Sequence, residues 1–200
     1  MVAPDFFSFL GLPRKLNIDH ADLERRYRAL SRQFHPDYFY NAPPAERRAS
    51  LERSSYLNDA YRTLRNKMAR IEYLLKLEAV PVAIGSSAVA PSSDSRAEAE
   101  LLEAVFALNE ELDEIRGERA SGVPDREWRA RLERARAPIE RKRARHEAAF
   151  EELSARWDAL VDGGAGESER RQLLTKLRDR FLERKYIDNL VAGIERELAQ

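Results

Sequence analysis

Few side chains in this sequence are equipped for acid-base, nucleophilic or metal chemistry. There is no cysteine, which removes thiolate catalysis, disulfides, iron-sulfur ligation by thiolates and Cys-based zinc sites in one step. The three histidines, His20, His35 and His146, are far apart in the chain, and no Gly-rich phosphate loop accompanies them. His35-Pro36-Asp37 sets a histidine and a carboxylate at the end of a basic amphipathic stretch. Neither a nucleophile nor a set of metal ligands stands beside it. By residue type alone, Pro36 terminates a helix, Asp37 is a turn residue and His35 is a cation near a negative helix end. We therefore expect no enzyme: no catalytic residue, no cofactor and no metal site.

The elements that must position this tripeptide are readable. Asp5 to Leu10 supplies a short apolar turn that Gly11 and Pro13 stop. From Asp19, a suitable N-cap, Leu23, Tyr27, Leu30 and Phe34 recur on one helical face. That helix must end by His35, because proline disfavours the α conformation in the residue before it. With Leu23 as zero and about 100° per residue, Arg25, Arg28 and Arg32 fall between roughly 140° and 200°. Three arginines thus share the face opposite the core. A loop follows through Ala42, then Pro43-Pro44 opens a third helix with Leu57, Tyr61 and Leu64, and a fourth carries Ile71, Leu74 and Leu75.

Composition bounds the rest. With 35 Lys+Arg against 35 Asp+Glu the chain has no net charge, so neither nucleic acid nor an anionic membrane is expected as a main partner. Hydrophobic residues at 43% exclude a disordered chain. No window approaches a membrane span, and the N-terminus lacks a basic n-region. A mature, cytoplasmic protein is expected. The segment from Ala79 to Ser95, with two prolines, a glycine, several serines and a single acid, reads as a linker. The sequence leaves open whether it is a flexible tether or whether the fourth helix packs against the second half of the chain. The expected organisation is residues 1–78, a linker over 79–95, and a second unit over 96–200.

In the second unit Ser95 and Glu98 fit a capping box, starting a helix with Leu101, Val105, Leu108, Leu112 and Ile115 as its seam. A long helix carries Trp128, Leu132, Ala135, Ile139, His146, Phe150, Leu153, Trp157 and Leu160, with Lys142 as a charged misfit. Pro138 should kink it without ending it. After Gly163 a last helix runs through Leu173, Leu177, Phe181, Ile187, Leu190, Ile194 and Leu198. The fold class expected is all-α, a helical hairpin with small flanking helices followed by a three-helix bundle, L-shaped or elongated overall. Leu102 and Phe106 lie about 100° and 140° off the seam, beside Glu103, Glu110 and Glu114 at roughly 180° to 220°. Leu182 and Tyr186 form a second pair off the stripe of the last helix. Such apolar pairs rimmed by acids suit a docking site, although Leu102 could equally widen the core stripe.

The order of elements around His35-Pro36-Asp37, with Leu57-Asn58-Asp59-Ala60-Tyr61-Arg62-Thr63-Leu64 on the third helix, resembles the J domain of DnaJ-type co-chaperones. More narrowly, Phe9-Leu10-Gly11-Leu12-Pro13, Tyr27-Arg28, and Arg70-Ile71-Glu72-Tyr73-Leu74-Leu75 look like HscB, the J-type co-chaperone of iron-sulfur cluster assembly. The likeness continues into Glu110-Glu111-Leu112-Asp113-Glu114-Ile115. It implies a chaperone-binding surface of His35, Pro36, Asp37, Arg25, Arg28 and Arg32, which docks on an HscA/DnaK-type ATPase and stimulates ATP hydrolysis. It also implies a scaffold-binding surface for IscU, carried over to Leu102, Phe106, Glu110, Glu114 and Tyr186. Relatives have glutamate where this chain has Ala107, and often methionine at the position of Glu103. Several members carry a cysteine-rich extension; this chain resembles the extension-free form. The rival is a helical adaptor or weak nucleic-acid binder using Arg134 to Arg145, which holds six cations and one acid, but lacks aromatic residues for base stacking.

Overall fold

Helices α1, α2 and α4 begin where a side chain accepts backbone donors that a helix start leaves free. In the computed structural model, which describes residues 4–82, 107, 110–118, 120–122, 125–164 and 166–199, α1 spans Phe6–Phe9 behind Asp5, whose carboxylate accepts from Ser8 N–H at 3.0 Å. Helix α2 spans His20–Phe34 behind Asp19, which accepts from Ala21 N–H at 2.8 Å. A 3-10 turn over Pro36–Phe39 follows, then α3 (Pro44–Arg65), with Pro44 at its first position, and α4 (Lys67–Leu77), capped by Asn66 on Ala69 N–H. Further on come α5 (110–118), α6 (Asp125–Gly163) and α7 (Glu167–Leu198). Among the described residues there is no strand. The fold is all-α.

Gly11 lies between α1 and α2 with φ of +67°, and a Cβ there would stand 2.8 Å from Arg26 Nη1. That guanidinium donates to Gly11 O at 2.7 Å. The left-handed backbone is what favours glycine here.

By spatial proximity the chain divides into two compact units: Met1–Val82 with Glu152–Arg178, and Ala83–Glu151 with Asp179–Gln200. In the first, Phe7, Leu10, Leu23, Leu57, Ala60 and Leu64 are buried together, with Tyr27, Leu30, Phe34, Tyr61 and Tyr73 packed around them. Phe6 stacks on Tyr73 at 4.3 Å and Tyr27 on Tyr61 at 4.2 Å, ring pairs that add about 0.5–1.5 kcal/mol each beyond their buried area. Four polar contacts within this unit tie the α1–α2 loop to the end of α6. Trp157 Nε1 donates to Arg14 O at 2.7 Å, Asp158 accepts from the N–H groups of Leu16 and Asn17 at 2.6 and 2.9 Å, and Lys15 pairs with Asp162 at 2.7 Å.

The second unit closes around Leu112 and Ile115 of α5, Trp128, Leu132 and Ile139 of α6, and Ile187, Val191 and Ile194 of α7. Leu101, Val105 and Leu108, which the spacing adds to the α5 seam, lie outside the described residues, as does the capping box at Ser95. Helix α6 passes through Pro138 without ending. An interior proline costs about 3 kcal/mol or more, and burying large apolar side chains such as Leu132 and Ile139 returns roughly 1.5–3 kcal/mol each. Packing on both sides of the proline therefore keeps the helix in one piece.

Candidate functional site

His35 links two elements: it closes α2 and caps the 3-10 turn. Pro36 forces its backbone to the extended conformation, and the α2 hydrogen-bond ladder stops there. The His35 Nδ1 atom accepts from Asp37 N–H at 3.3 Å, and the Asp37 carboxylate lies 3.5 Å from the same ring. Tyr38 N–H then bonds His35 O at 3.1 Å. From the other side Ser50 of α3 donates its hydroxyl to Phe34 O at 2.9 Å, tying α3 to the last residue of α2. The turn is thus held from both flanks, and the Asp37 side chain remains 86% exposed. A carboxylate fixed in place and left in water is suited to receiving a partner's cation.

Arg25, Arg28 and Arg32 all stand exposed along α2, away from buried Leu23. Two are loosely engaged on the same helix: Arg25 with Asp22, and Arg28 with Glu24 at 2.5 Å. Exposed pairs of this spacing contribute only about 0.2–0.5 kcal/mol, so an acidic partner can replace either carboxylate at little cost. Arg32 pairs with no carboxylate among the described residues. Arg26 belongs to a different class, because it pairs with Asp22 at 2.8 Å and holds the Gly11 turn.

Within the second unit, spacing treats Glu110 and Glu114 alike, but the structure separates them. Arg131 of α6 extends Nε to Glu111 at 2.7 Å, Nη2 to Glu114 at 2.7 Å and Nη1 to Glu118. All three nitrogens of one guanidinium are spent on one face of α5. The hydrogen bond from Arg131 holds the Glu111 carboxyl below its ordinary value, and the carboxylates hold the Arg131 pKa above its own. Glu110 is exposed and pairs with no cation among the described residues. Ala107 lines a groove of about 520 Å³ together with Glu111, Arg131, Arg134, Ala135, Pro138 and Ile139. Tyr186 stands 38% exposed on α7, next to core residue Ile187. Leu102 and Phe106 lie outside the described residues.

The basic run is partly neutralised. Arg136 reaches Glu140 and Glu195, and Arg143 reaches Glu140 and Asp188. His146 is buried on the α6 seam with Nε2 3.3 Å from Glu183. Burial first, then the charges of Arg180, Lys142, Arg184 and Arg145, push its pKa down to about 4. Glu183 does not prevent this, since its carboxylate is shared with Arg180 at 2.9 Å. The ring is therefore neutral at pH 7. Sequence reasoning missed the Arg131 clamp and the exposure of Tyr38, Tyr40 and Leu51. The triad Glu111, Glu114 and Glu118 at helical spacing was the available signal for the first.

Residues 5–73 match the family model described as the DnaJ domain. A curated relative, the co-chaperone protein HscB homolog of Cupriavidus taiwanensis, is 44% identical over 89 residues, which cover 44% of this chain and 51% of that protein. Over its first part the chain is thus similar to DnaJ domains and to HscB co-chaperones. The match spans about half the length of that relative. Two solved HscB structures share the fold across the chain. Chaperone HscB from Vibrio cholerae has a TM-score of 0.61 at 22% identity, covering 98% of this chain and 99% of its own. Human co-chaperone protein HscB has a TM-score of 0.62 at 21% identity, covering 98% of this chain and 83% of its own. His35, Pro36 and Asp37 lie inside the residues matched as a DnaJ domain, at the junction of α2 and the 3-10 turn. Among the described residues no helix is long and apolar enough to cross a membrane.

Proposed function

We propose that this protein is a cytoplasmic co-chaperone that performs no chemistry itself. Its J domain docks on an HscA/DnaK-type chaperone and stimulates ATP hydrolysis there, while the helical bundle binds an IscU-type scaffold and delivers it for iron-sulfur cluster assembly and transfer. The observation that carries the reading is Asp37, 86% exposed on a turn braced by His35, Pro36 and Ser50, at the end of a helix that presents Arg25, Arg28 and Arg32 to solvent. The arginines steer an acidic groove toward this face and speed the encounter, because guanidinium charge on a rigid helix acts beyond contact distance. Asp37 then meets a chaperone cation at a fixed position.

On the bundle, Leu102, Phe106 and Tyr186 supply apolar contacts and Glu110 the free acid. Glu114 plays the lesser part, since Arg131 already engages it. Joining a scaffold-binding unit over 96–200 to a J domain over 1–78 keeps the cargo at high local concentration near the chaperone without new contacts. The test is ATP hydrolysis by an HscA/DnaK-type chaperone with this protein, with and without an IscU-type scaffold. Stimulation that rises further with scaffold is the expected result. A chaperone rate unchanged by either addition overturns the reading.

A further inference from the structure

Four large apolar side chains stand out in solvent among the described residues: Tyr38 at 75%, Tyr40 at 78%, Leu51 at 58% and Tyr186 at 38% exposure. Three of the four belong to one end of the J domain. Tyr38 follows Asp37 directly, and Tyr40 closes the 3-10 turn. Leu51 follows Ser50, the residue of α3 bonded to the end of α2, and the 3-10 turn itself packs on α3. Single exposed apolar residues are ordinary on a monomer, but several gathered beside a polar recognition motif mark a surface meant to be covered.

The same end is braced by local hydrogen bonds. Asp37 N–H is bonded to His35 Nδ1, Tyr38 N–H to His35 O at 3.1 Å and Tyr40 N–H to Asp37 O at 3.4 Å, and the Tyr38 ring stands edge-on to His35 at 6.0 Å. Tyrosines on a braced turn offer large contact area for little ordering entropy, which is why they recur as binding anchors.

Resting on the chaperone-docking reading above, we propose that Tyr38, Tyr40 and Leu51 form an apolar rim around Asp37 that packs on an uncharged, apolar patch of the ATPase chaperone bordering its acidic groove. The occupant is the chaperone because Tyr38 follows Asp37 directly, the turn that carries both packs on α3, and Arg32 of the cationic α2 face stands on the last turn before His35. The two chemistries divide the work. Arginines set the rate of encounter and its salt dependence, and the rim sets how long the complex lasts.

The experiment titrates the full-length protein against the chaperone's ATPase, comparing wild type with Tyr38→Ser/Tyr40→Ser/Leu51→Ser and with Tyr38→Ser and Leu51→Ser alone. The triple variant should need about tenfold more protein for half-maximal stimulation, each single variant two- to threefold more, and all should reach the wild-type maximum at saturation. Half-saturation equal to wild type in all three variants overturns the rim while leaving chaperone docking intact. So does wild-type protein that sediments as a dimer which the triple variant dissolves with half-saturation unchanged, because the occupant is then a second copy. No stimulation by wild type overturns the docking reading and the rim with it.

Discussion

Two groups of titratable residues in this protein meet opposite fates. Asp37 is braced by short-range contacts and left in water; His146 is buried among cations that hold it neutral. For His146 the consequence is a pH-dependent stability. Its folded-state pKa of about 4 lies below the ordinary 6.5, so between those values the unfolded chain binds a proton that the folded chain refuses. The stability of the neutral ring is complete above about pH 6.5 and is lost as pH falls toward 4, by an amount on the order of 3 kcal/mol. Urea midpoints measured from pH 7 to 4.5 should fall more steeply for wild type than for His146→Gln; parallel curves would show that the ring does not titrate in this range. The tripeptide and the arginine face were legible in sequence because both are local. The surroundings of His146 were not, since Arg180, Glu183 and Arg184 come from α7, and no spacing rule pairs them with α6.

Beside its core contacts, helix α5 has the carboxylates of one face balanced by a single residue of α6. Arg131 fills its fork with Glu111, Glu114 and Glu118, and without it three carboxylates at helical spacing repel one another. A lysine retains the charge but offers a single ammonium where the site uses a planar fork. Both Arg131→Lys and Arg131→Gln should therefore speed amide exchange over 110–118, with the glutamine variant faster. Exchange unchanged in both would mean that the core contacts of Leu112 and Ile115 suffice. At this scale the sequence read well where apolar spacing is long: α2 and α6 stand where their stripes put them, α6 even through Pro138. It read poorly at Pro36–Phe39, where four residues are too few to show a period, and the segment looks like loop until Pro36 and the His35 cap wind it into a 3-10 turn.

For the whole molecule, the assignment of Glu152–Arg178 to the unit that holds the J domain rests in part on polar contacts that no pattern announces. Asp158 is one acid among many on a charged helix, yet it is the acceptor for two successive backbone donors, one on buried Leu16. Removing it strands the donor on buried Leu16, at roughly 1–3 kcal/mol. Asp158→Ala should lower the denaturation midpoint and accelerate exchange at the Leu16 and Asn17 amides, and Asp158→Asn, which keeps one acceptor, should recover part of both. Unaltered exchange at those amides would remove Asp158 from this role.

The most direct test of the account is the chaperone's ATP hydrolysis with saturating wild-type protein and with Asp37→Asn. The exposed carboxylate has no part in the core, so the variant should keep its helical content and denaturation midpoint while losing nearly all stimulation. Full stimulation by a folded Asp37→Asn variant would contradict the claim that the braced turn at His35-Pro36-Asp37 is where this protein acts on its partner.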